Sequence, residues 1–177
     1  MKRVAKFEKV SYEQFEKDYL DTYGLAGDDT SKRLRQEIES MYYGFELPTR
    51  ATKFSAGFDI RTPFPFTLKP GEVIKIPTGI KCRMNTNYVL LIFPRSGLGF
   101  KYQCNLVNGT AVLDCDYINS DNEGHIFIKL VNRGNKEFSV TSNTAVAQGI
   151  FLEYGITEDD HVETERNGGF GSTDKKE

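Results

Sequence analysis

The chain lacks an excess of either charge sign: 23 Lys and Arg face 25 Asp and Glu, for a formal charge of −2 over 177 residues. There is therefore no overall field to attract a nucleic acid or an anionic membrane, and an anionic ligand would have to be held by local donors. Cysteine is scarce. Cys82, Cys104 and Cys115 are odd in number and lack the close pairing of a zinc site or a redox motif. They fit small buried side chains in a reducing compartment. No apolar run reaches the roughly 20 residues of a membrane-spanning helix. Met1-Lys2-Arg3 leads into further charged residues, not into an apolar signal segment. These absences point to a soluble, cytoplasmic protein with one cored domain and an appendage.

What is present changes texture along the chain. Ser11 is a good N-cap with Gln14 placed to close a capping box, and Val10 is placed to staple against Phe15. Tyr12, Phe15, Tyr19 and Tyr23 share one helical face, Gly24 supplies a stop, and a loop follows from Leu25 to Ser31. A second helix is expected from about Lys32 to Tyr43, with Leu34, Ile38, Met41 and Tyr42 on one stripe and Gly44 as its stop. From Phe45 the chain breaks into short apolar runs: Gly57–Arg61, Phe66–Leu68, Val73–Ile76, Tyr88–Phe93, Leu106–Val107, Ala111–Leu113, Ile126–Val131 and Ala145–Leu152. Turn residues separate them, which predicts an all-β sandwich, jelly roll or barrel.

One stretch carries chemistry: Ala111-Val112-Leu113 runs into Asp114-Cys115-Asp116-Tyr117. If the strand persists, Asp114 and Asp116 share a face and repel unless a cation or donor intervenes. If it breaks at Cys115, Asp114 ends the strand and Asp116-Tyr117 begin a turn. Solvated acids at a strand end are the plain alternative. Pro94-Arg95-Ser96-Gly97-Leu98-Gly99 offers a charge, a hydroxyl and free amides to an anion, without the spacing of a Walker loop. After an acidic run comes Arg166-Asn167-Gly168-Gly169-Phe170-Gly171-Ser172-Thr173, which cannot form a core but has the donors to close on a phosphate.

In order, five stretches resemble the motifs of the trimeric dUTP pyrophosphatase (dUTPase) family, of the type found in Gram-positive bacteria and their phages. They are Ala56-Gly57-Phe58-Asp59-Ile60, Pro94 to Gly97, Asn108 with Asp114 to Tyr117, Val146-Ala147-Gln148, and Arg166 to Thr173. The likeness spans about residues 46 to 174. It implies a jelly-roll-like distorted β-barrel at 46–155, an N-terminal helical extension at 1–45 and a glycine-rich C-terminal arm at 156–177. It also implies a homotrimer with shared active sites, in which a neighbour supplies the third motif and another chain lends its arm. The implied reaction hydrolyses dUTP to dUMP and pyrophosphate, keeping uracil out of DNA and supplying dUMP for thymidylate synthesis.

By the same resemblance, Asp114 activates the water that attacks the α-phosphorus, Tyr117 packs against the deoxyribose and Asn108 lies in the uracil pocket. Arg95, Ser96, Gly97 and Gln148 bind phosphate. Phe170 stacks on uracil, with Gly171 beside it and Arg166, Ser172 and Thr173 on the terminal phosphates. Asp59 stands near the water shell of a Mg2+ held mainly by the triphosphate, and Asp116 fixes the turn. Some features depart from the family pattern: Ala145 replaces a frequent basic residue, Ala111 replaces a glycine, Asn167 alone separates Arg166 from the glycine pair, and 118–123 is inserted. The competing expectations are a dCTP deaminase-like enzyme, and a regulatory scaffold that binds a protein partner through the N-terminal helices or the 118–123 insertion.

Overall fold

In the computed structural model, which describes residues 1–25, 31–164 and 166, the N-terminal signals resolve into two helices. Helix α1 (Tyr12–Tyr23) starts at Ser11, whose backbone is extended and whose Oγ accepts the Gln14 N–H at 3.1 Å. It ends at Gly24, which takes the left-handed conformation (φ 64) and donates back to Asp21 and Leu20. Helix α2 (Lys32–Gly44) is capped by Ser31. Gly44 belongs to its last turn, and the break falls one residue later, where Phe45 is extended. Val10, Phe15, Leu20 and Ile38 bury together between the helices.

The expected capping box does not close locally. The Gln14 side chain donates to Asp18, one turn on, at 2.9 Å. The Ser11 N–H instead reaches Glu123 Oε2 at 2.9 Å, and Ser11 Oγ donates to Glu123 Oε1 at 2.5 Å. Lys81 Nζ completes the set at 3.0 Å. Burial alone would raise the Glu123 carboxyl, but the Ser11 hydroxyl, the Ser11 amide and Lys81 outweigh it and lower it from 4.5 to about 2. The partner of the N-cap thus comes from the inserted segment after Tyr117, far along the chain.

The strands are β1 (Ala5–Lys9), β2 (Thr49–Arg50), β3 (Phe58–Arg61), β4 (Phe66–Leu68), β5 (Val73–Pro77), β6 (Ile80–Met84), β7 (Tyr88–Pro94), β8 (Cys104–Leu106), β9 (Ala111–Leu113), β10 (Phe127–Asn132), β11 (Phe138–Val140) and β12 (Ala145–Glu153). They form a five-stranded sheet in the order β2-β3-β12-β7-β9, a three-stranded sheet β5-β10-β8, and the ribbons β1-β6 and β4-β11. All the pairings are antiparallel. The arrangement is jelly-roll-like: residues from both larger sheets share one buried cluster, and the described strands make separate ladders, not one closed barrel. Ile60, Ile76, Leu90, Ile92, Ile128 and Leu130 point inward from both larger sheets and are almost wholly buried. Each contributes about 1.5–3 kcal/mol by leaving water.

The helices lie on this core. Phe15 stacks near Phe45 and His125, and β1 pairs along β6, so the N-terminal segment is continuous with the domain. Cys82 and Cys104 are buried free thiols, pushed up by burial to about 12 and about 11, and Cys115 is half-buried. No described helix is long and apolar enough to cross a membrane.

Candidate active site

Strand β12 assembles the first cluster. Gln148 lies opposite Asp59 on β3 and opposite Phe93 on β7. Residues 59, 93 and 148, far apart in sequence, thus become neighbours across strand spacings of about 4.8 Å. One step past β7, Arg95 turns back so that its Nε lies 3.4 Å from Asp59 Oδ1. Gln148 Nε2 donates to the Pro94 carbonyl at 3.3 Å. Gly57 makes room for this side chain, since a Cβ there would come within 2.8 Å of Gln148 Oε1. Gly57→Ala is accordingly expected to displace a flexible amide at small stability cost, within about 1 kcal/mol, while weakening several-fold the binding of any ligand that the Gln148 amide holds. Paired thermal-melting and binding measurements check this.

The anion loop expected at Pro94–Gly99 is a short helix, α3 (Ser96–Tyr102), with Arg95 as its extended N-cap. Its two glycines, Gly97 and Gly99, disfavour helix and hid it in the sequence. No atom lies within 4 Å of the space beside the Gly97 Cα, so its backbone is open to approach. Leu98 and Gly99 donate to the Arg95 carbonyl, whereas the amides of Ser96 and Gly97 precede the first helical bonds.

The second cluster is built by the end of β9. The strand stops at Leu113; Asp114 is extended and caps a short 3-10 helix, Cys115–Asn119. The strand therefore breaks, and the two acids are held together by a cation. Arg166 Nη2 lies 2.7 Å from Asp114 Oδ2 and its Nε lies 3.0 Å from Asp116 Oδ1. The same guanidinium lies 5.7 Å from the centroid of the Tyr117 ring. Tyr117 is buried in the core, donates its hydroxyl to the His125 carbonyl at 2.9 Å and accepts from Asn122 Nδ2 at 3.3 Å. Burial raises its hydroxyl above the usual range, so it stays a donor.

Asn108 sits in the tight connection between β8 and β9, where Gly109 has φ 73 and the Thr110 amide donates to the Asn108 carbonyl. Together with Val107, Ala111, Leu113, Phe127 and Lys129 it lines a cavity of about 450 Å³. Phe170, Gly171, Ser172 and Thr173 lie outside the described residues. Among the described residues no cluster of three or more His, Cys, Asp or Glu side chains could hold a metal ion.

Within one chain the two clusters are far apart. Leu113 pairs with Leu90, and Arg95 lies five residues further along the same strand line. At about 3.4 Å per residue that is roughly 17 Å, and Asp114 continues in the opposite direction. The members of both clusters are legible in the sequence, and the family resemblance implies that they meet only between chains; the distance itself depends on strand register, which the residues alone do not give.

Residues 44–174 match the dUTPase family model. The chain is 38% identical over 133 residues to the deoxyuridine 5'-triphosphate nucleotidohydrolase of Lactococcus lactis, covering 73% of this chain and 89% of that protein. Its fold is similar to the crystal structure of the dUTPase from Streptococcus mutans, with a TM-score of 0.58 and 33% identity over 63% of this chain and 88% of that one. It is also similar to a variant dUTPase of the Staphylococcus aureus phage phi11, with a TM-score of 0.56 and 21% identity over 67% and 90% of the two chains. That phage protein coordinates a structural Mg(II) ion. The family match leaves residues 1–43 outside it.

Proposed function

The chain belongs to the dUTPase family and is a dUTP nucleotidohydrolase, and from that premise we propose how its residues divide the work. The observation that carries the proposal is the separation along β7. A water held by Asp114 and a phosphate held by Arg95, Ser96 and Gly97 must meet at one phosphorus, and one chain holds these groups too far apart. The site is therefore completed between chains in a homotrimer. Asp59, Arg95, Ser96, Gly97 and Gln148 of one subunit face the stretch from Asn108 to Tyr117 of the next.

Asn108 reads the uracil edge, so a base with a different donor pattern leaves buried polar groups unpaired. The Tyr117 ring packs on the deoxyribose and leaves no room for a 2′-hydroxyl. Asp114, whose side chain is more than half exposed at the end of β9, accepts a proton from the attacking water. The water attacks the α-phosphorus, releasing dUMP and pyrophosphate. Arg166, which holds both acids in this structure, passes to the terminal phosphates with Ser172 and Thr173, and Phe170 and Gly171 close over the base. That transfer frees Asp114 for its water.

The donor set fits a magnesium ion carried by the nucleotide: Asp59 already faces Arg95, Asp114 and Asp116 share Arg166, and the described residues include no group of three that would cage the ion. Bound there, Mg2+ would neutralise charge on the phosphates, with Asp59 facing its water shell. A separate protein partner is not needed to explain the inserted segment, because its Glu123 is already committed to Ser11 and Lys81.

Subunit complementation tests the shared site. Asp114→Asn and Arg95→Ala chains, each inactive alone, are expected to regain dUTP hydrolysis when unfolded together and reassembled, because mixed trimers contain intact pairs of clusters. Mixtures as inactive as the separate variants would show that each chain works by itself.

A further inference from the structure

The hydrogen bonds that hold Tyr117 lead, residue by residue, out of the family-like domain and into the N-terminal helix. The Tyr117 hydroxyl donates to the His125 carbonyl at 2.9 Å, and Asn122 Nδ2 reaches both that hydroxyl and that carbonyl, at 3.3 Å each. His125 is fully buried. Its Nε2 accepts the Gly79 amide at 2.8 Å, which places the ring proton on Nδ1, and Nδ1 donates to Asp18 Oδ2 of α1 at 2.6 Å. The inserted segment is anchored at its other side by the three bonds of Glu123 to Ser11 and Lys81.

The loop between these anchors is tightly wound. Glu123 takes a left-handed backbone (φ 58), which is uncommon for a residue other than glycine. Gly124 (φ 72) brings its Cα so close to Ile118 and the Tyr117 carbonyl that a Cβ would meet them at 2.6 and 2.9 Å. A left-handed Glu persists where surrounding contacts over-determine it, and here those contacts come from the Ser11 cap of α1 and from Lys81 on β6. Neither Asp18 nor Ser11 lies within the region matched by the family model, which begins at residue 44.

We propose that helix α1 is a positioning element of the active site: Asp18, through His125, and the Ser11 cap, through Glu123, fix the 118–124 loop and hold the Tyr117 ring at the angle that separates deoxyribose from ribose. The proposal rests on the reading of Tyr117 as the sugar contact. Asp18 and Glu123 act through Tyr117 and do not touch the nucleotide. Loosening either anchor lets the ring tilt. A tilted ring admits a 2′-hydroxyl before it disturbs Asp114, which is held on the other side of the turn.

The test compares kcat/KM for dUTP and UTP in the full chain, alongside thermal melting, for Asp18→Ala, Glu123→Ala, the milder Glu123→Gln, Tyr117→Phe and Tyr117→Ala. The expected result is a fall of about tenfold in the dUTP/UTP ratio for Asp18→Ala, Glu123→Ala and Tyr117→Phe, the scale of one lost positioning contact, with kcat for dUTP changing less than the ratio. Glu123→Gln, which still accepts from Ser11, should retain more discrimination than Glu123→Ala and serves if the alanine variant does not fold. A lower melting temperature with an unchanged ratio in the Asp18 and Glu123 variants, while Tyr117→Ala loses discrimination, would overturn the positioning role alone. An unchanged ratio in Tyr117→Ala would overturn the sugar contact and the inference with it.

Discussion

Asp114→Asn is expected to lower turnover of dUTP by about 10²–10⁴-fold, the usual contribution of a positioned general base. The amide keeps the size of the carboxylate and can still accept from a water. It cannot take the proton that the water must lose as it attacks. Asp116 alone would continue to hold Arg166 Nε, which lies 3.0 Å away, so the turn should persist and the fold should not change. The Asp114 side chain is also 55% exposed, and exposed ion pairs of this kind contribute only about 0–1 kcal/mol. Binding of a non-hydrolysable dUTP analogue by calorimetry, measured beside pyrophosphate release, separates the two outcomes. Retained binding with collapsed turnover is expected; near-normal turnover would remove Asp114 from its assigned role.

Deleting residues 166–177 should be nearly as damaging to activity and nearly silent for stability. Arg166 is the described part of this arm that touches the site, through Asp114 and Asp116. Losing the arm removes the guanidinium, two hydroxyls and the Phe170 ring at once. Small losses of orientation at a reacting phosphate cost on the order of 10²-fold, so kcat/KM should fall by at least that much. Among the described residues the last strand, β12, closes at Glu153, before this point. Circular dichroism and melting should therefore match the full chain. Full activity in the truncated protein would reduce the arm to a frayed end.

The sequence made the site residues legible more readily than the contacts between them. Ser11 and Gly24 mark the ends of α1 because capping is local chemistry, whereas the Ser31 cap of α2 reads in the sequence only as the end of a loop. The runs that became β3, β4, β5, β7, β9, β10 and β12 stood out by apolar content, and turn residues bounded them. Strand β6 was passed over although Ile80, Cys82 and Met84 alternate with Lys81 and Arg83. Its period of two was present, but two cations in five residues masked it. Strand β11 has only three residues, and β1, with three charged residues in five, is specified by pairing with β6 more than by its own residues. The Glu123 cap on Ser11 could not be read locally, because 112 residues separate the partners. The same holds for Arg166 between Asp114 and Asp116. A cation or donor between the acids was expected only for a continuing strand; the strand breaks at Leu113, and the turn brings both acids to one guanidinium all the same.

Strand β12 carries a bulge at its start: Ala145 and Ala147 face Arg61 and Ile60, so Val146 is an extra residue on that strand. Beyond it, the register with β7 runs unbroken from Ala147 to Glu153. In the gene, this makes the codons before and after the bulge unequal. Upstream, an added or lost codon can be absorbed where the ladder is already irregular. Between codons 147 and 153, a change of one codon would exchange the two faces of the strand. Gln148 would then turn toward the interior, and a buried neighbour would take its place beside Asp59. Through this stretch the chain is held fixed in length.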